Sequence, residues 1–287
     1  MNGTMRVLGL LIGCALGFAS AAYARPAAIV TDIEGRATLL RGTQPLPVAL
    51  LSEIGEDEVV ELAAGARIVV IHYWPGHEYT LKGPARVRFG YGSLEAQAGP
   101  PPERREARTA VRVNPAGLVQ AGVQMRGQSR PQIRLLHPVG VRLLEAQTDF
   151  RWEALAAPAE YGFSLSSDNG ASLYEVRTRE GRVALPAAVQ LVAGTRYAWR
   201  VVAKSSDGQE RAAIAGFMTA SAELADEARR LRPADRADVS ELVAYALWLR
   251  QERLQVEADR YWRLLRERRP GEAGLAGMIE ASNDGRN

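Results

Sequence analysis

Cysteine is almost absent from this chain, and the single one, Cys14, sits in an apolar N-terminal run. With that run removed there is no thiol left for a disulfide, a Cys nucleophile or a thiolate-bound metal. Lysine is nearly missing too, with Lys82 and Lys204 the only two. Arginine therefore carries the positive charge, and 36 basic residues against 33 acidic ones leave a net charge of only +3. A balance this even makes no strong field and gives no reason to expect nucleic-acid binding. After the first 24 residues no apolar run of about 18 residues occurs, the length a membrane-spanning helix needs. Catalytic fingerprints are missing as well. There is no Gly-x-Ser-x-Gly elbow, no Gly-x-Gly-x-x-Gly loop and no Walker-type phosphate loop. These absences point to a non-enzyme with no cofactor.

What is present begins with an export signal over 1–24. Arg6 precedes the apolar run Val7–Phe18, and the small residues that follow end in Ala22-Tyr23-Ala24, a signal-peptidase site. The expected mature chain starts at Arg25 and works in the periplasm. Leu11-Ile12-Gly13-Cys14 also reads as a lipobox, whose Cys would be lipidated, although the apolar residues after it are unlike a lipoprotein's polar ones. Membrane contact is expected only if Cys14 is lipidated.

The rest divides into four segments. Over 25–98 short alternating runs are separated by glycine: Ile29-x-Thr31-x-Ile33 before Gly35, Val59–Leu62, Arg67–Ile71, then Trp74-Pro75-Gly76-His77 reversing into Glu78–Leu81. Over 99–132 order signals fade into a Pro- and Arg-rich linker, with one added strand at Ala110–Val113. Over 133–220 the period of two returns. Tyr161, Phe163 and Leu165 alternate before the turn Asp168-Asn169-Gly170, and Tyr197, Trp199 and Val201 share a face, which predicts a β-sandwich of about seven strands. Over 221–287 the period becomes helical, with Leu242, Tyr245, Ala246 and Leu249 on one face and Ala258, Trp262 and Leu265 on the next. A shorter helix is predicted over Ala222–Leu231. The expected fold class is mainly β and multi-domain with a C-terminal helical hairpin.

Three resemblances follow from these residues. The strand pattern into Gly35 and Gly42, Leu50-Leu51 before Gly55-Glu56-Asp57, and Tyr79–Val87 with Gly83-Pro84 resemble the FecR-type domain of bacterial envelope proteins. That family implies an envelope sensor or scaffold. Its best-known members signal through a transmembrane helix, which is not carried over here. Trp152, Leu185-Pro186, Leu191–Val201 and Phe217-Met218-Thr219 resemble a fibronectin type III domain, which implies a binding or spacer module. Ala246, Ala258, Trp262 and Pro270 resemble one tetratricopeptide unit. One such unit does not bury both its faces, so it has to pack on its neighbours or on a partner.

Candidate sites are few. Pairing Trp74 with His77 and His72 with Tyr79 would set four side chains on one face, with Glu78 pointing the other way. Two imidazoles fall short of the three or four ligands a metal needs, so an aromatic contact surface is the expectation. Glu53, Glu56, Asp57 and Glu58 form an acidic cluster, the residue type of a glycoside hydrolase, but adjacent loop carboxylates are ordinarily solvated. Arg104, Arg105 and Arg108, and Arg263, Arg266, Arg268 and Arg269, read as solvated charge interrupted by glutamates. The expected contact surface comprises Tyr73, Trp74, His77 and Tyr79, with Trp248 and Trp262 on the unfilled side of the helical hairpin. The expected partner is another envelope protein or peptidoglycan. The alternatives are a peptidoglycan hydrolase and a lipoprotein subunit of an envelope complex.

Overall fold

The computed structural model describes residues 25–74, 76–106, 133–144, 148–155, 159–205, 210–272, 274–275 and 278. The expectations for the signal, Cys14 and a strand at Ala110–Val113 lie outside the described residues.

Ten strands make the first unit: β1 (Pro26–Glu34), β2 (Ala37–Arg41), β3 (Gln44–Pro47), β4 (Glu53–Gly55), β5 (Val59–Leu62), β6 (Arg67–His72), β7 (His77–Lys82), β8 (Ala85–Phe89), β9 (Leu94–Ala98) and β10 (Glu103–Glu106). They form two five-stranded antiparallel sheets, ordered β10-β7-β6-β1-β4 and β3-β2-β5-β8-β9. In the second sheet the alternation is simple. Leu39, Val60, Leu62, Val87 and Phe89 are buried, while Glu61, Arg86 and Arg88 face out, where Arg86 pairs with Glu61 and Arg88 with Asp57. Between these sheets Gly83 leaves no room for a side chain, since a Cβ there would lie 1.9 Å from the Ala63 carbonyl oxygen.

Strands β1 and β6 behave differently. They are buried at nearly every position, so both faces of the first sheet are covered. The outer cover is three C-terminal helices, α1 (Ala222–Leu231), α2 (Val239–Gln251) and α3 (Gln255–Arg268), with α2 packed on β1. Ser221 caps α1 by accepting from the Leu224 N–H, and Asp238 caps α2 by accepting from the Glu241 N–H. Helix α2 is buried continuously from Leu242 to Leu249, because sheet and neighbouring helices surround it. The Tyr245 hydroxyl donates to the Ala228 carbonyl at 2.8 Å and ties α2 to α1. Side chains of both sheets and all three helices form one contiguous core. A bulge at Thr31 in β1, where Val30 faces Val70 and Asp32 faces Val69, turns Asp32 toward the helices.

The second unit holds β11 (Leu135–His137), β12 (Arg142–Leu143), β13 (Asp149–Trp152), β14 (Ala159–Ser167), β15 (Ser172–Thr178), β16 (Arg182–Ala184), β17 (Arg196–Ser205) and β18 (Glu210–Thr219). Their sheet orders are β11-β13-β16 and β12-β18-β17-β14-β15, with β12 parallel to β18. The opening segment thus contributes to both layers of a β-sandwich. Phe150 packs against Phe163 at 4.9 Å and Trp199 at 5.3 Å between ring centroids. The Val192 N–H donates to the Tyr197 hydroxyl at 2.7 Å, which fixes the corner before β17.

Two expectations need correction. Glu103–Glu106 falls within the expected linker but is strand β10, paired with β7. The charges hid it, because an edge strand with every side chain exposed carries no apolar period. The hairpin is not left unfilled, since its apolar faces close on α1 and the first sheet.

Candidate functional site

The tips of two turns meet at one end of the first unit. The β6–β7 turn carries Tyr73 and Trp74, and the β8–β9 turn carries Gly90, Tyr91, Gly92 and Ser93. The His72 ring bridges them, its Nε2 2.9 Å from the Gly90 carbonyl oxygen, and so acts as the donor. The Tyr73 N–H donates to the Ala27 carbonyl at 2.8 Å, which anchors the first turn to β1. Across the second turn the Gly90 N–H donates to the Ser93 carbonyl at 2.9 Å.

On this support Trp74 and Tyr91 stand out of the protein. Their ring centroids are 6.5 Å apart with planes 29° from parallel, and the residues are 61% and 64% exposed. Gly92 lies under the indole, where a Cβ would sit 3.9 Å from Trp74 Cδ1. Among the described residues the other exposed large apolar side chains, Leu173, Val192 and Ile214, belong to the second unit.

The expected pairings of Trp74 with His77 and His72 with Tyr79 are replaced by another register. Ile71 pairs with Glu78 and Val70 with Tyr79, which sets His72 and His77 side by side across the turn. His72 and His77 each meet Tyr79 edge-on, at 6.3 and 6.4 Å. Tyr73 is turned instead toward β4, its hydroxyl 3.5 Å from Glu53 Oε1, and burial with the Glu53 charge pushes its pKa up. Trp248 and Trp262 are not on a surface at all: both are buried in the core that the helices share with the first sheet. Tyr91 was missed by sequence reasoning. Its signal was the run Gly90-Tyr91-Gly92, in which a large aromatic between two glycines at a turn has nowhere to be buried.

The charged clusters serve structure. Glu58 is buried, paired with Arg41 and accepting from the Gly55 N–H at 2.7 Å. Asp57 meets Arg88 at 2.6 Å. Arg268 donates to the carbonyls of Ala237 and Asp235, and Arg269 reaches Asp32 at 2.9 Å. Glu78, on the helix side of β7, is buried beside Arg105 at 2.6 Å and faces Asp238 and Glu241 of α2. Desolvation raises its pKa against the pull of Arg105. Among the described residues no three His, Asp or Glu side chains are grouped closely enough to hold a metal ion.

The fold thus defines a β protein of two stacked-sheet units, the first closed on its outer side by helices. No family model matches this chain, and no curated protein sequence matches it. Solved structures with partial likeness include CopC from Methylosinus trichosporium OB3b, at 16% identity over 32% of this chain and 96% of that one, with a TM-score of 0.26. They also include the chicken CNTN1 FN1-FN3 domains, at 10% identity over 69% of this chain and 64% of that one, with a TM-score of 0.23. A Parabacteroides merdae beta-glucuronidase shares 10% identity, covering 69% of this chain and 26% of that one, with a TM-score of 0.21. Overlaps this loose carry no argument about what the chain does. Among the described residues no helix is long and apolar enough to cross a membrane.

Proposed function

We propose that this is an exported, non-catalytic binding or scaffold protein of the bacterial cell envelope. In this reading a FecR-like unit makes the contact, a fibronectin III-like sandwich acts as a spacer, and the tetratricopeptide-like helices brace the first unit. The observation that carries it is the Trp74–Tyr91 pair. Two large aromatic side chains that meet each other but stay 61% and 64% exposed leave apolar surface in water, and binding would bury it. The export signal supports the compartment.

The test is site-specific photo-crosslinking in cells. A photoreactive residue replaces Tyr91 in one strain and Ile214, exposed on the far unit, in another. The expected result is a discrete envelope adduct from position 91 and none from position 214. Turnover of a wall glycan by the purified protein that is lost in Glu56→Ala or Asp57→Ala would overturn the non-catalytic reading.

A further inference from the structure

The Trp74–Tyr91 pair has a size and shape that identify its ligand class. At their exposures the two side chains offer roughly 250 Å² between them, since a large aromatic buries about 150–250 Å² in full. A stable protein–protein interface needs about 800 Å² from each partner. The patch is therefore too small to dock a folded protein by itself, but it suits a ligand one or two rings long.

The geometry then favours one kind of ring. A pyranose presents a face of C–H bonds, apolar and slightly positive, which settles on the negative face of an indole or phenol ring. Two such rings 6.5 Å apart and 29° from parallel are spaced on the order of the step between neighbouring sugars in a β-linked strand. The His72 ring links the two turns at 2.9 Å from the Gly90 carbonyl oxygen, and Gly92 has no side chain to crowd the indole beside it.

The geometry points to Trp74 and Tyr91 as a platform for the pyranose rings of a β-linked glycan, the wall polysaccharide of the envelope. This inference rests on the binding reading above and names the ligand of that same site.

The test exploits the tryptophans. Of five in the chain only Trp74 is exposed, while Trp152, Trp199, Trp248 and Trp262 are buried, so acrylamide quenching of the fluorescence reports on Trp74. The purified full chain is titrated with chitotetraose, a β-linked N-acetylglucosamine oligomer, and sedimented with purified peptidoglycan sacculi. Chitotetraose should shield the quenchable fraction in the wild type. Tyr91→Ala should weaken that shielding about tenfold, the scale of a lost aromatic anchor. Trp74→Ala should lose co-sedimentation with sacculi, Trp74→Phe should retain most of it, and Ile214→Ala should leave it unchanged. Equal quenching with and without chitotetraose, together with equal sedimentation of wild type and Trp74→Ala, would sink the glycan inference. If position 91 still crosslinks to a defined protein under that outcome, the scaffold reading survives and only the sugar is wrong. If neither occurs, both fall.

Discussion

At the scale of single residues the first unit depends on Asp32 more than on any exposed charge. The Thr31 bulge turns its carboxylate toward Arg269, which follows α3 and meets it at 2.9 Å, while Arg67 of the neighbouring β6 meets it at 3.2 Å and the Ile33 N–H donates to it as well. Only the carboxylate is buried, and the arginines keep contact with water, Glu34 and the Ile33 carbonyl, so Asp32→Ala should cost about 2 kcal/mol, between an exposed pair and a fully buried one. Urea unfolding measures it. A loss below about 0.5 kcal/mol would mean that the pair behaves as a surface contact. Asp32→Asn keeps an acceptor for Ile33 and should fall between. No sequence signal marked this residue, because Arg269 is far away along the chain and a bulge is invisible to periodicity. Trp74, His77 and Tyr79 were legible because an aromatic-rich turn between alternating runs is a local pattern, and the exposed partner Tyr91 was overlooked because it lies on another turn.

At the scale of elements, β7 and α2 meet through a carboxylate that costs energy when ionised. Glu78 faces Arg105 from β10 and Asp238 and Glu241 from α2, and desolvation outweighs Arg105 in setting its pKa above the ordinary glutamate range. A carboxyl whose folded pKa is raised adds stability below its unfolded pKa and loses it as pH rises through the folded one. Glu78→Gln removes that dependence. The stability of the variant relative to wild type should therefore climb as pH rises from about 4, the ordinary glutamate range, to neutrality. Chemical unfolding of both proteins across that range measures the difference. A flat or falling difference would show that the Arg105 pair dominates instead. The same elements show why the sequence was legible in parts. Strands with one buried face, such as β8 and β14, announce themselves by alternation, and the cap of α1 marks its start. Strand β10 carries no apolar residue, so only its pairing with β7 reveals it. Helix α2 looked one-sided in the helical pattern, yet it is buried all round because the first sheet lies far upstream in sequence.

At the scale of the whole molecule the chain leaves the first unit, builds the second, and returns. Core side chains from β1, β6 and the three helices belong to one cluster, whereas the sandwich has its own cluster around Phe150, Trp152 and Trp199. The two regions are tied where Arg142 Nη1 donates to the Glu252 carbonyl at 2.9 Å and the Arg142 N–H to the Arg253 carbonyl at 3.0 Å. The helices are therefore an integral layer of the first unit, and the sandwich is an insertion between its two parts. Apolar burial scales with the area removed from water, so a shared core of this kind holds its pieces together without a covalent link. A protease site introduced between residues 115 and 125 makes the test. After cleavage the N-terminal fragment should stay with the remainder through gel filtration and separate only in denaturant. Amides of β1 should keep their protection from hydrogen exchange, since β1 is central to the sheet and covered on both faces. Free elution of the N-terminal fragment as a folded species would mean that the first β unit is complete without the helices. In that case the burial of Trp248 and Trp262 against it would be a weak docking, and the helical layer would again be available to a partner.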